Sequence, residues 1–187
     1  MGSTPTPHAR LRVRLPVARP PADVGAPSFT VDGPLRGRTV GLRHEGSWRS
    51  WMLIVEEWER FLREDGAEPA VLVAKGRVGG EGTRTRKDVA TWAAGVDCGV
   101  AGLGTCGSCT SNSVSDAVAL ERLRRPAVVA VCQEFETHAR NMASFLGHPS
   151  LKVLVLPYPL EGRPADELRG IAAEYYPRFV ELLGATR

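Results

Sequence analysis

Five short apolar runs alternate with segments of helical character between residues 39 and 156. The runs are Thr39–Leu42, Ala70–Ala74, Val96–Gly102, Ala127–Cys132 and Leu151–Leu156. Strands that are apolar along their whole length are typical of parallel sheets, because helices cover both faces of such sheets. The pattern therefore predicts an α/β fold with a five-stranded, doubly wound parallel sheet, a flavodoxin-like or Rossmann-like three-layer sandwich with strand order 2-1-3-4-5.

Helices are predicted between these runs and after the last one. The clearest segments are Trp51–Leu62, Val89–Ala94, Phe135–Leu146 and the stretch that starts at Pro164. The first is strongly amphipathic and is expected to end at Gly66, whereas the second is short and weak. The final stretch contains Pro177, which is expected to kink the helix or to split it in two.

Residues 1–36 differ in composition from the rest of the chain. They contain seven of the fourteen prolines and five arginines. We expect a Pro/Arg-rich N-terminal arm over residues 1–36 and a single α/β domain over residues 37–187. Leu11, Val13 and Leu15 alternate with polar residues, so the arm either lies as an edge strand on another surface, such as that of a second subunit in a homodimer, or forms a loose tail.

Composition and charge narrow the classes of function. The chain has 187 residues, 43% of them hydrophobic, and a net charge of +3, which is too small to indicate a nucleic-acid partner. No apolar run approaches the roughly 20 residues of a membrane span, and no secretion signal is recognisable, so we expect a cytoplasmic protein without a membrane partner. Four cysteines are too few for a disulfide framework.

The sequence CGSC places Cys106 and Cys109 in a C-x-x-C spacing, between the third strand and the helix that follows it. In a reducing compartment this spacing is typical of redox, catalytic or metal-binding sites. The unpaired amides of a helix N-terminus would favour a thiolate there. Thr110, Ser111 and Ser113 are candidate N-caps, and Ser113 with Asp116 fits a capping box, so the helix is expected to begin at about Ser113 or a few residues before it.

The CGSC stretch and its neighbours resemble the UGSC-motif family of selenoproteins and their cysteine-containing relatives. The flanking residues that carry the likeness are Gly102, Gly104, Asp116, Ala117, Leu120 and Glu121. The resemblance places the family's selenocysteine or cysteine on Cys106 and its second cysteine on Cys109, and it extends from about Arg38 to Leu183. The chain departs from the family at Thr105, at Ser115 and at Pro157–Pro159, where an acidic residue, a histidine and Pro-His-Pro are expected, so its proton handling would differ.

Further candidates follow the predicted strands, whose carboxyl ends share one edge of the sheet. His44 and Glu134 are candidate catalytic acids or bases. Candidate substrate-binding residues are Glu45, Ser47, Ser108, Thr110, Ser111 and Tyr158. For His44, Glu45, Ser47 and Tyr158 the alternative is an ordinary loop role, and a core role is favoured for Cys98 and Cys132. For His138 a packing or surface role is favoured over ligation.

The segment after the second strand is rich in glycine and basic residues. Between Lys75 and Lys87 its net charge is +4, and Arg84 and Arg86 are the arginines proposed to contact substrate. It lacks the Lys-Ser/Thr of a P-loop, so no nucleotide is predicted. The segment is either a docking loop for a small-molecule or carrier-bound anionic substrate, or a solvated loop.

Three functions fit these observations. The first is a thiol-dependent oxidoreductase without a cofactor, in which Cys106 attacks, Cys109 resolves the adduct and a thiol reductant restores both. The second is a non-redox enzyme, a transferase, hydrolase or C–S lyase, that acts through a covalent Cys106 adduct. The third is a zinc site at Cys106, Cys109 and Cys132, although a second closely spaced ligand pair is missing.

Overall fold

A five-stranded parallel sheet forms the centre of the computed structural model, which describes residues 28–187. Its strands are β2 (Thr39–Glu45), β3 (Glu68–Ala74), β4 (Cys98–Gly104), β5 (Ala127–Cys132) and β6 (Lys152–Leu156). Their order is β3-β2-β4-β5-β6, and all four pairings are parallel. The predicted fold class and the predicted order 2-1-3-4-5 are therefore confirmed.

Helices cover both faces of the sheet. They are α1 (Arg49–Glu64), α2 (Gly79–Gly95), α3 (Gly107–Arg122), α4 (Glu136–Phe145) and α5 (Ala165–Leu183). The pair α1 and α5 packs on one face, and α2, α3 and α4 pack on the other. The chain winds in opposite directions from β2, so the crevice at the carboxyl ends of β2 and β4 is the topological switch point where such sheets bind ligands.

Aromatic residues hold α1 and α5 together. Trp58 is fully buried and stacks on Phe179, with ring centroids 4.8 Å apart and planes 6° apart. Its indole N–H donates to the carbonyl oxygen of Ala172 at 2.9 Å, so the polar atom of this large side chain is satisfied. An aromatic pair of this kind contributes roughly 0.5–1.5 kcal/mol beyond the burial of its surface. The apolar stripe from which α1 was predicted is thus the face that packs against α5.

Residues 31–35 also belong to the folded domain. Leu35 is fully buried in the core, and the amide of Val31 donates to the carbonyl oxygen of Leu183 at 2.9 Å. A short strand β1 (Gly33–Pro34) pairs with β7 (Ala185–Thr186). The domain therefore extends upstream of the boundary predicted at residues 36 and 37. The predicted edge strand of Leu11, Val13 and Leu15 lies outside the described residues.

Helix α2 is longer than the predicted segment Val89–Ala94. It begins at Gly79, and one of the glycines that suggested a loop, Gly82, serves close packing instead. A Cβ on Gly82 would lie 2.4 Å from the carbonyl oxygen of Arg77. Arg84 and Arg86 consequently lie on a helix, and the prediction that they belong to a basic loop is wrong.

The last helix also differs from its prediction. α5 runs without interruption from Ala165 to Leu183, with Pro177 inside it. Buried residues lie on both sides of the proline, among them Ala172 and Phe179. Packing against α1 thus maintains one helix through a residue that disfavours it locally, and the expected split does not occur.

Candidate functional site

A turn of two residues, Thr105 and Cys106, joins β4 to α3, and we call residues 105–111, which comprise this turn and the start of α3, the cysteine loop. Cys106 is the N-cap of α3, and its sulfur accepts a hydrogen bond from the amide of Cys109 at 3.2 Å. The sulfur therefore takes the position that a serine or threonine oxygen has at most helix N-termini. The helix begins six residues before Ser113, so the predicted Ser113–Asp116 capping box is wrong. Both residues are buried inside the helix.

Cys106 and Cys109 are joined by a disulfide, with their Cα atoms 5.2 Å apart. Cys106 is half-buried, whereas Cys109 is only 7% exposed. The hydroxyl of Ser108, which is exposed, lies 3.5 Å from the sulfur of Cys106. The pair thus consists of an outer sulfur that an external molecule can approach and an inner sulfur within bonding reach of it.

Hydroxyl groups on the first turns of α3 hold the loop rather than cap the helix. Thr110 is fully buried, and its hydroxyl donates to the carbonyl oxygen of Cys106 at 2.7 Å. The hydroxyl of Ser111 donates in the same way to the carbonyl oxygen of Gly107 at 3.0 Å. Of the predicted substrate-binding hydroxyls in this loop, Thr110 therefore lies away from solvent, and Ser108 and Ser111 remain accessible.

Two glycines of β4 allow the loop to approach its neighbours closely. A Cβ on Gly104 would lie 2.7 Å from a methyl carbon of Val131 and 2.9 Å from the hydroxyl oxygen of Thr110. A Cβ on Gly102 would lie 2.7 Å from the indole ring of Trp51. Contacts shorter than 3.0 Å require the surroundings to move, so a larger residue at Gly102 would displace Trp51, and one at Gly104 would displace Val131 or Thr110.

A buried network of arginines and carboxylates contacts β4 and α3, the two elements that the cysteine loop joins. The side chain of Arg43, on β2, is fully buried and donates to the carbonyl oxygen of Gly102 at 2.8 Å and to Glu45 at 2.7 Å. Its Nε lies 2.7 Å from a carboxylate oxygen of Asp116, although that N–H does not point at the oxygen. Arg77 donates to both carboxylate oxygens of Asp116. Two positive and two negative groups therefore connect β2, the segment after β3, and α3.

Neither Arg43 nor its pairing with Asp116 was among the sequence candidates. A charged residue inside an otherwise apolar strand was the available signal, because an arginine in such a place must find partners. Which partners it finds depends on the packing of α3 against β2, and no spacing in the sequence shows that.

A cavity of about 360 Å³ lies beside the switch point, between the segments that follow β2 and β3 and the second turn of α3. We call it the switch-point cavity. Its polar lining comprises Glu45, Ser47, Lys75, Arg77, Glu81 and Asn112. Glu45 and Ser47, both predicted to bind substrate, thus line a cavity beside the helix that carries the cysteines.

His44 lies on β2 instead of in a loop, and it is buried. Successive side chains of a strand face opposite sides, so His44 shares the α1 and α5 side with Leu42, whereas Arg43 and Glu45 face α3. The imidazole Nδ1 lies 3.4 Å from the carbonyl oxygen of Glu45. Within residues 28–187 no hydrogen bond or ion pair connects His44 to the cysteine loop.

The histidine that does contact the loop is His138, on α4. Its Nε2 lies 3.1 Å from the carbonyl oxygen of Gly107 and 3.1 Å from the hydroxyl oxygen of Ser111. The sequence favoured a packing or surface role, because His138 lies beside the apolar stripe of its helix. Since β5 lies next to β4, α4 packs against α3 and brings the imidazole to the residue after Cys106.

The loops after β5 and β6 share the edge of the sheet with the cysteines. Glu134 is exposed in a short 3-10 turn after β5. Tyr158 is 49% exposed and packs edge-on against Phe135, with ring centroids 6.3 Å apart. Both predicted residues are therefore accessible at this edge.

The remaining cysteines are buried. Burial raises the pKa of the Cys98 thiol to about 12, and it also raises the pKa of Cys132, although a hydrogen bond from Thr105 opposes the effect. Cys98 begins β4 at the amino end of the sheet, and Cys132 ends β5. Within residues 28–187 there is no group of three or more His, Cys, Asp or Glu side chains arranged to hold a metal ion.

The two arginines predicted to bind substrate differ in their surroundings. Arg86 lines a groove of about 360 Å³ between α2 and α3, which we call the α2–α3 groove. Arg84 is exposed and lines neither this groove nor the switch-point cavity.

Comparison with models of protein families identifies a family for this chain. The model of the UGSC family matches residues 12–185, and no curated protein matches the chain. The matched region begins upstream of Arg38, where the resemblance was expected to start, and it includes the cysteine loop. Among the described residues, no helix has the length and apolar character needed to cross a membrane.

Proposed function

The chain belongs to the UGSC family, and from that premise we propose that it is a thiol-dependent oxidoreductase acting on a small-molecule substrate. The observation that carries the proposal is the unequal placement of the two sulfurs. Cys106 is accessible at the N-cap of α3, and Cys109 is buried within bonding reach of it. An attacking thiol has to meet the substrate, whereas a resolving thiol has to meet only the first sulfur.

The N-terminus of α3 favours negative charge on the sulfur of Cys106. The amide of Cys109 donates to that sulfur, and the aligned peptide dipoles place partial positive charge at the same end of the helix. Reactive cysteines are commonly found in this setting, because the thiolate is the nucleophile. Cys106 is therefore the attacking residue in the proposed reaction.

The proposed reaction transfers two electrons from the dithiol to a disulfide substrate. The Cys106 thiolate attacks one substrate sulfur, the substrate S–S bond breaks, and the first half of the substrate leaves as a thiolate. Cys109, after losing its proton, attacks the sulfur of Cys106 and releases the second half. The products are an internal Cys106–Cys109 disulfide and two substrate thiols. An external thiol reductant, as found in the cytoplasm, returns both cysteines to the reduced state.

Groups around the loop would handle protons and shape the substrate site. Glu134, Tyr158 and Ser108 are accessible at the same edge and would form its walls. His138 contacts the residue after Cys106 and would move protons to or from departing thiolates. In this proposal His138 takes the part that the sequence suggested for His44.

The position of His138 also favours a second candidate, a non-redox enzyme in which Cys106 adds to an electrophilic carbon. A cysteine with a nearby imidazole is the usual arrangement for covalent catalysis by transferases, hydrolases and lyases. Cys109 would then be a neighbour without a chemical part. The two candidates differ in what the loss of Cys109 does.

The first test compares Cys106→Ser with Cys98→Ala in the reduction of a small model disulfide by dithiothreitol. The Cys106→Ser protein should lose about 100-fold or more in rate, because it lacks the nucleophile. Cys98 is buried at the amino end of β4, far from the loop, so Cys98→Ala should keep its rate within about twofold when assayed well below its unfolding temperature. Full turnover by the Cys106→Ser protein would contradict the proposed role of Cys106.

A further inference from the structure

We propose that the α2–α3 groove binds the phosphate-bearing end of an elongated substrate whose other end reacts at Cys106. This inference rests on the proposed function for the choice of the reacting residue, and it adds the chemical class of the substrate. The groove itself is a feature of the described residues and can be tested by binding alone.

The lining of the groove combines arginines with apolar side chains. Its residues are Arg77, Arg86, Val89, Ala90, Asn112, Ser115, Asp116, Ala119 and Arg122. The three arginines and one aspartate give a formal charge of +2. Asp116 already accepts both hydrogen bonds of Arg77 and lies beside Arg43. Asp116 is therefore already paired with buried or half-buried arginines, and its charge does not compensate the charges of Arg86 and Arg122.

Arg86 and Arg122 are the two uncompensated arginines, one on α2 and one on α3. Within residues 28–187 neither forms an ion pair of 4.0 Å or less, and the one side-chain hydrogen bond of Arg86 there goes to the hydroxyl of Thr83 at 3.0 Å. Guanidinium groups bind phosphate oxygens in pairs of parallel hydrogen bonds. Two of them on facing helices match the charge of a phosphate dianion.

The groove adjoins the switch-point cavity, because Arg77 and Asn112 line both. That cavity lies at the carboxyl edge of the sheet, beside the helix that carries the cysteines. Ser115 follows Cys106 by nine residues on α3, which corresponds to about 13 Å along a helix. A ligand that spans from the groove to Cys106 is therefore longer than a compact metabolite, and a phosphorylated carrier arm has the required form.

Binding of inorganic pyrophosphate to the full chain, measured by titration calorimetry, tests the groove. The test variant carries Arg86→Ala and Arg122→Ala. The matched control carries Arg84→Ala and Arg140→Ala, which remove two exposed arginines outside the groove and the same total charge. Wild type and control should bind alike, and the test variant should bind about tenfold more weakly or worse, because it lacks both guanidinium contacts.

The other outcomes distinguish a failure of the phosphate-binding proposal from a failure of the proposed function. Absence of pyrophosphate binding to wild type, or equal binding by the test variant, would overturn the groove proposal. Binding of succinate in place of pyrophosphate would overturn the phosphate class. If pyrophosphate binds through Arg86 and Arg122 but Cys106→Ser retains disulfide reduction, the groove stands and the proposed function fails.

Discussion

Burial divides the four cysteines into two kinds of environment. Cys98 and Cys132 are fully buried, and burial raises the pKa of both thiols, that of Cys98 to about 12. At neutral pH these two remain protonated and unreactive. Cys106 is accessible at a helix N-terminus, where an amide donates to its sulfur. Among the cysteines of the described domain, Cys106 is therefore the one expected to react with external molecules.

The buried arginine network sets the surroundings of that loop. Arg43 holds the carbonyl oxygen of Gly102, four residues before Cys106, and Asp116 and Glu45 lie against Arg43 in turn. Burying charged groups is costly, and attraction between them offsets the cost only while every partner is present. Removing one member of this network should therefore lower stability more than removing one partner of an exposed ion pair would.

The variant Asp116→Asn tests the network. It removes one of two negative charges and leaves Arg43 and Arg77 with Glu45 alone, so the free energy of unfolding should fall by about 3–5 kcal/mol. Chemical denaturation measures the loss, and Ser115→Ala, at an exposed neighbour, should change stability by less than about 0.5 kcal/mol. A loss below about 1 kcal/mol for Asp116→Asn would show that the network does not contribute in this way.

At the scale of secondary structure, the junction between β4 and α3 decides where the sulfurs lie. Only two residues separate the elements, and Gly104 allows the strand to pass close to Val131 and Thr110. The first turn of α3 is held by the sulfur of Cys106 and by the hydroxyl of Thr110. A shift of the strand end would move both cysteines together.

Gly104→Ala and Gly107→Ala, three residues apart, are expected to change stability in different ways. A Cβ on Gly104 would lie 2.7 Å from Val131, and the overpacking should cost about 1–3 kcal/mol of stability. A Cβ on Gly107 would meet nothing within 4 Å. Because alanine favours helix, Gly107→Ala should leave stability unchanged or raise it by up to about 1 kcal/mol. Equal effects of the two variants in chemical denaturation would contradict this account of the junction.

The helices show where local patterns mislead. α1 was predictable from its apolar stripe, whereas α2 and α3 begin ten and six residues before the predicted starts at Val89 and Ser113. Glycines usually mark loops, but at Gly82 the missing side chain is what allows the helix to pack against Arg77. At α3 the N-cap is the sulfur of Cys106, and cysteine is not among the residues by which helix starts are recognised in a sequence.

For the whole molecule, strand order was predictable because continuously apolar strands alternate with helices. The same reasoning placed the loops after β2, β4, β5 and β6 at one edge, and Glu45, Ser47, Glu134 and Tyr158 lie there with Cys106. Which side of a strand a residue faces, and which helices meet, required the structure. His44 is turned towards α1, while His138 contacts the cysteine loop from α4.

In the proposed reaction Cys106 attacks and Cys109 resolves, and the variant Cys109→Ser separates these two roles. Intact mass and thiol count are measured for wild type and variant after treatment with oxidised glutathione. Wild type should lose two hydrogens as the Cys106–Cys109 disulfide forms, without a lasting adduct. The variant should accumulate one glutathione on Cys106, released only by added thiol. Normal turnover by Cys109→Ser, together with a wild type that never gains the internal disulfide, would contradict the account and favour carbon-centred covalent catalysis.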